Sequence, residues 1–143
     1  MSGDSIRTDA APAPIGAYPH ARRVGNLLFL SGVGPRQPGS SAIPGNVCDV
    51  DGRLIAYDIE AQCHQVFANV RAVLEASGAA WTDLVDVTVF LTDMQRDFAT
   101  YNRLYAEYFA GIDACRTTVG ISALPTPIAI ELKCVAALPA QSR

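Results

Sequence analysis

The chain is short of the residues on which most cofactor-dependent chemistry relies. It has two histidines, His20 and His64, and four cysteines, Cys48, Cys63, Cys115 and Cys134. The cysteines form no CxxC pair and no histidine stands at zinc-ligand spacing, so no metal is expected. There is no Gly-rich phosphate loop, no GxSxG elbow and no HExxH motif, which removes support for nucleotide, serine-hydrolase and metalloprotease classes. Eleven basic against fourteen acidic residues leave a net charge of -3, and no basic run can track a phosphate backbone, so nucleic acid is not an expected partner. No apolar run approaches the length of a membrane span. Met1 to Ala10 carries Asp4 and Asp9 and lacks the apolar h-region of a signal peptide. These features predict a soluble cytoplasmic protein with four free thiols and no disulfide framework.

What is present is apolar material, half of the 143 residues, enough for a single domain over 1–143 with one core. Residues 1–12 read as a flexible tail. Gly25-Asn26 supplies turn chemistry between an incoming strand through Tyr18 and the apolar run Leu27 to Ser31. Residues 34–52, crowded with Pro35, Pro38, Gly39, Pro44 and Gly45, read as a surface loop. Asp58 can cap a helix whose apolar positions Ile59, Cys63, Val66, Val70, Val73 and Leu74 recur every three or four residues, with Gly78 past its end. Val85, Val87, Val89 and Leu91 alternate with Asp86, Thr88 and Phe90 in the period of a strand. A second helix from about Phe98 to Phe109 carries an aromatic stripe that reads as core. A strand near Thr117 to Ile121, a Leu-Pro-Thr-Pro break and a last strand from Ile128 complete the order β-β-α-β-α-β-β. Two helices can cover only one face of such a sheet. The other face, with Phe90, Ala129 and Val135 among polar residues, is too apolar for water, and self-association is expected to bury it.

Four polar residues in apolar surroundings, Tyr18, His20, Arg116 and Glu131, are the candidates for chemistry. Arg116 begins a strand, where its planar fork suits either bidentate grip on a carboxylate or a surface ion pair. Glu131 sits between Ile130 and Leu132, where a charge is costly without a partner or a task. It can serve as a general base toward water, or pair with Lys133 or another subunit. His20 can line a pocket or be structural, and His64 falls on the exposed side of the first helix.

The stretch from Arg116 to Glu131, with Leu124-Pro125 between them, closely resembles the C-terminal signature of the reactive-intermediate deaminase (Rid/YjgF-like) family. Ile15-Gly16-Ala17-Tyr18, Phe29-Leu30-Ser31-Gly32, the helix from Asn69 to Gly78, and Val87 to Asp93 followed by Tyr101-Asn102 resemble its other motifs in the same order. Within the family the chain is most similar to the 2-aminomuconate deaminase branch, through Gly34-Pro35-Arg36-Gln37, Tyr57-Asp58-Ile59-Glu60-Ala61-Gln62 and Cys115-Arg116-Thr117-Thr118.

The resemblance implies a two-layer α+β sandwich, chorismate-mutase-like, with two helices on one face of a mixed sheet. It also implies a homotrimer with clefts at the subunit interfaces and no cofactor. It carries substrate-carboxylate binding to Arg116, water activation to Glu131, and further site roles to Tyr18 and Ser31. Thr118 stands where many members have cysteine, and Pro19-His20 replaces the commoner Ser-Gln, which points to a pocket tuned to another substrate. The implied reaction is hydrolysis of an enamine or imine acid, 2-aminomuconate to 4-oxalocrotonate and ammonia, with Arg36, or an arginine of a neighbouring subunit, as the candidate second anchor. A broad-spectrum deaminase of 2-aminoacrylate-like intermediates and a non-catalytic ligand-binding module are the alternatives.

Overall fold

The computed structural model describes residues 4–139 of the chain. Its sheet has six strands in the order β1-β2-β3-β8-β6-β7. These are Ser5–Ile6 (β1), Ala21–Val24 (β2), Leu27–Leu30 (β3), Leu84–Leu91 (β6), Cys115–Gly120 (β7) and Ile130–Ala137 (β8). All neighbours run antiparallel except β6 and β7, which are joined through a helix and pair in parallel. The helices α1 (Ile59–Ala76) and α2 (Met94–Phe109) bury their apolar stripes on one face of the sheet, giving the expected two-layer α+β architecture.

Local chemistry sets most boundaries. Gly25, at φ 62°, turns β2 into β3. The Asp58 carboxylate accepts from the Ala61 N–H and starts α1, and Asp93 does the same for α2 through the Arg96 N–H. Each such cap contributes about 1 kcal/mol. The core joins Val66, Phe67, Val70 and Leu74 of α1 to Leu28, Val87, Val89, Leu132 and Cys134 of the sheet. Phe67, Trp81, Tyr105 and Phe109 form an aromatic cluster between the helices, so the stripe of α2 is core from Tyr101 to Phe109 as its spacing predicts, while Phe98 at its start is exposed.

Several expectations are corrected. Residues 1–3 lie outside the described residues, but the rest of the segment read as a flexible tail is tied down. Ser5 and Ile6 pair with Arg22 and Ala21, and Ala11 is buried. The strand expected through Tyr18 begins only at Ala21, and Tyr18 lies in irregular backbone just after the bend at residues 15–17. The loop 34–52 ends in a hairpin of Val47–Cys48 (β4) and Leu54–Ala56 (β5), turned by Gly52 and by the Asp49 carboxylate accepting from the Asp51 and Arg53 N–H groups. The second helix starts one turn early, at Met94. A bulge at Leu84/Asp86 breaks the alternation of β6, so Leu84 is buried while Val85 is 41% exposed. Ala129, expected on the open face, is buried because it precedes β8 and folds under α1.

The sheet face away from the helices carries Leu27, Phe29, Phe90 and Val135 beside Asp86, Thr88, Glu131 and Lys133, and Phe29 is 38% exposed. Among the described residues no helix is long and apolar enough to cross a membrane.

Candidate active site

Tyr18, Arg36 and Glu131 line one small open cleft, together with Gly32 and Gly34 on one side and Pro125, Thr126 and Ile128 on the other. An adjoining pocket shares Tyr18, Gly32, Gly34 and Arg36 and adds His20 and Ser31.

Glu131 stands in β8 opposite Phe90 of β6. It is half-buried, and its carboxylate has no hydrogen bond or ion pair among the described residues. Burial holds its pKa above the ordinary 4.5, with no counter-charge to lower it. Lys133, the chain's single lysine, is not its partner, because the ammonium donates to the Leu30 carbonyl. Gly32 makes room for the carboxylate: a Cβ there would lie 2.9 Å from Glu131 Oε2.

The other cleft groups are held by the backbone. The Tyr18 hydroxyl accepts from the Ile15 N–H at 3.2 Å, which leaves its own proton for a ligand. Ser31 Oγ donates to the Pro19 carbonyl at 2.7 Å and keeps its lone pairs free. Arg36 Nη2 donates to the Ala13 carbonyl at 2.7 Å. His20 has both ring nitrogens engaged: the Thr8 N–H points to Nδ1 at 3.3 Å and Nε2 lies 2.8 Å from the Pro12 carbonyl. These contacts assign the neutral Nε2–H tautomer and make His20 a clasp on the N-terminal segment, although it also borders the pocket.

Arg116 lies elsewhere. It pairs in register with Val87, three residues from Phe90 along β6, so it projects from the opposite face of the sheet to Glu131. There it is exposed at the edge strand, its Cζ 4.8 Å from the Tyr105 ring centre and 5.3 Å from that of Tyr101. Nη1 donates to Asn102 Oδ1 at 2.8 Å. Thr118 is beside it, its hydroxyl 2.8 Å from the Tyr101 hydroxyl. Thus Tyr18, His20, Ser31, Arg36 and Glu131 gather in one place and Arg116 and Thr118 in another.

Sequence reasoning missed Gly32, Asn102, Gln62 and Asn69 as site builders. Gln62 and Asn69 are fully buried polar residues of α1. Their spacing from Val66 and Val73, at positions 62, 66, 69 and 73, was the signal that they lie on the core side of the helix.

A family model described as Endoribonuclease L-PSP matches residues 8–138. A RutC family protein of Pyrococcus horikoshii is 40% identical over 131 residues, covering 92% of this chain and 94% of its own. Reactive Intermediate Deaminase A, chloroplastic, of Arabidopsis thaliana is 37% identical over 133 residues, 93% of this chain and 65% of its own. Among solved structures, the YjgF gene product of E. coli superposes with a TM-score of 0.78 at 34% identity, covering 93% of this chain and 97% of that one. E. coli TdcF with bound serine superposes at 0.80 with 30% identity, covering 94% and 98%.

Proposed function

The chain belongs to the Endoribonuclease L-PSP family, that of the Rid/YjgF proteins, and on that premise we propose that it hydrolyses an enamine or imine acid to the oxo acid and ammonia without a cofactor. The observation that carries this reading is Glu131, a half-buried carboxylate with no counter-charge on the wall of a cleft. Such a group is costly to keep and suited to accepting a proton from water.

Arg116 binds the substrate carboxylate bidentately and draws electron density from the conjugated system. The enamine takes a proton at carbon and gives one up from nitrogen, tautomerising to the imine with no net change in protons. Water adds to the imine carbon, held by Glu131, which takes one of its protons. The nitrogen takes back the proton held by Glu131, giving the tetrahedral carbinolamine, which then collapses: its hydroxyl proton, relayed through Glu131 or the Tyr18 hydroxyl, passes to the nitrogen, which leaves as ammonia as the carbonyl forms. Ser31 offers an acceptor to the substrate nitrogen. A neighbouring structure that holds serine, an amino acid with a carboxylate, supports a small acid as ligand.

Because Arg116 and Glu131 point away from opposite faces of one sheet, the complete site in this reading is made by Arg116 and Thr118 of one copy and Tyr18, Ser31, Arg36 and Glu131 of another, within a homotrimer. The partly apolar open face of the sheet supports such assembly. Arg36 on the same cleft as Glu131 supports a substrate with a second carboxylate, and 2-aminomuconate is the substrate we assign. A general deaminase of short enamine acids is the second reading, favoured by the name of the Arabidopsis relative.

The test is ammonia release and loss of ultraviolet absorbance when purified protein meets freshly generated 2-aminomuconate, with 2-aminoacrylate in parallel and no added metal or cofactor. Strong preference for the muconate supports the dicarboxylate assignment, and equal turnover supports the general enzyme. Turnover of neither overturns the deaminase reading in favour of a binding module.

A further inference from the structure

The cleft lies between two backbone segments that no strand pairing spans completely. One wall is Gly32 to Arg36 and the other is Pro125 to Glu131, joined by the bridge in which Val33 and Leu132 exchange N–H···O=C bonds at 2.8 and 2.9 Å. Gly32 to Arg36 and Pro125 to Ala129 lie outside the named strands, and only Ile130 and Glu131 at the end of the second wall are held by β6; loops hold a fixed distance only where something holds them.

Two buried amides of α1 do so. Asn69 Nδ2 donates to the Gly34 carbonyl at 2.8 Å and to the Arg36 carbonyl at 2.7 Å, and its own Oδ1 accepts from Gln65 Nε2 at 3.0 Å. Gln62 Oε1 accepts from the Ala129 N–H at 2.8 Å, two residues before Glu131. Gln62 Nε2 donates to Asn46 Oδ1 at 3.0 Å, and Asn46 Nδ2 in turn donates to the Pro127 carbonyl at 2.8 Å. Both amides are at most 1% exposed. Three of their hydrogen bonds go directly to the two walls and the other two to Gln65 and Asn46, in surroundings where an apolar side chain would pack without the need for partners.

We infer that Gln62 and Asn69 are positioning residues that set the width of the cleft, Asn69 fixing the Arg36 wall and Gln62 fixing the backbone that carries Glu131. Seven residues apart, they are two turns apart on one face of one rigid helix, so the helix acts as a spacer between the walls. The two residues then have different kinetic consequences. Loosening the Arg36 wall weakens substrate binding. Loosening the Glu131 wall misplaces the base and changes its solvation.

The kinetic part rests on the deaminase reading, so the experiment has a second readout that needs no substrate. Near-isosteric Asn69→Leu and Gln62→Met are compared with wild type and with Arg116→Ala, with the milder outer-link variants Gln65→Ala and Asn46→Ala alongside in case a core variant fails to fold. In Asn69→Leu, KM rises roughly tenfold while kcat holds within about threefold. In Gln62→Met, kcat falls by about tenfold to a hundredfold and the acid limb of the pH profile moves toward that of an ordinary glutamate. Gln65→Ala and Asn46→Ala follow their respective partners with smaller effects. Native-state hydrogen exchange speeds at Val33 and Gln37 in the Asn69 and Gln65 variants and at Ala129 in the Gln62 and Asn46 variants. Unchanged exchange at both walls, or loss of active enzyme with KM and the pH limb unmoved, overturns the inference. If Arg116→Ala keeps full turnover, or wild type shows none, the deaminase reading falls, and hydrogen exchange alone decides whether the amides hold the walls.

Discussion

Arg116 and Glu131 project from opposite faces of the same sheet, because Arg116 is in register with Val87 and Glu131 with Phe90, and these two β6 residues are three apart. A guanidinium and a carboxylate so placed cannot meet one small substrate within a single copy. If the reaction needs both, each site takes one from each of two copies. Arg116→Ala and Glu131→Gln proteins should therefore each be inactive alone and regain activity when refolded or expressed together. With random mixing in a cyclic oligomer, about a quarter of sites receive both intact residues. Ammonia release by the mixture measures this. No recovery means that the two residues act in the same copy or not at all.

Glu131→Gln separates function from stability. Burial raises the folded-state pKa above 4.5, so folding favours the protonated acid. The cost of the ionised form is absent below the unfolded pKa and fully present above the folded one. Glutamine removes that cost. The variant's Tm should exceed that of wild type at neutral pH, and the difference should shrink to nothing as pH falls below 4.5. Its kcat should fall by roughly 10²- to 10⁴-fold. In wild type the acid limb of kcat should lie above the range of an ordinary glutamate. A thermal melt series against pH checks the first claim and a rate profile the second.

The contrast between Gly32 and Gly45 tests what each glycine is for. A Cβ at Gly32 would meet the end of a flexible side chain, Glu131 Oε2 at 2.9 Å, and the carboxylate can move aside. Gly32→Ala should lower kcat about tenfold or more, by displacing the base, while Tm changes little. Gly45, at φ 78°, would place its Cβ 2.5 Å from the Asp58 Cβ at the cap of α1. Gly45→Ala combines left-handed strain with a clash and should cost roughly 1–3 kcal/mol, visible in a denaturant midpoint. If Gly32→Ala leaves kcat intact, the position of Glu131 is not what the rate depends on.

Legibility of the fold in the sequence followed the length of each pattern. The α1 segment from Asp58 to Gly78 was readable because cap, period and end signal agree over eighteen residues. The strands β1, β4 and β5 have two or three residues each, too few for alternation to register, so a tail and a loop were read in their place. The inside and outside of β6 came out wrong at Val85 because a bulge adds one residue and flips the face. At the site, Glu131 and Arg116 were visible as charges out of keeping with their strands. Their separation onto two faces depends on the β6 register, which a one-dimensional pattern does not carry. Asn69 and Gln62 were passed over because polarity on an amphipathic helix ordinarily marks its wet side, whereas here the backbone of two loops takes the place of water.

Arg116 rests on Tyr105, yet the Tyr105 hydroxyl is buried and has no hydrogen-bond partner among the described residues. Holding the guanidinium needs the ring and the Asn102 amide, not this hydroxyl. Tyr105→Phe should therefore keep KM near wild type and leave Tm unchanged or higher, by up to about 1 kcal/mol of stability, since it deletes an unpaired buried polar group and keeps the shape. Asn102→Ala should instead raise KM for carboxylate substrates about three- to tenfold with a small effect on kcat, because the fork loses the acceptor that aims it. Thermal melts and Michaelis–Menten kinetics on both variants decide the matter. A Tm loss or a raised KM in Tyr105→Phe would show that the hydroxyl finds its partner in a second copy or in the substrate, and would add Tyr105 to the groups that bind.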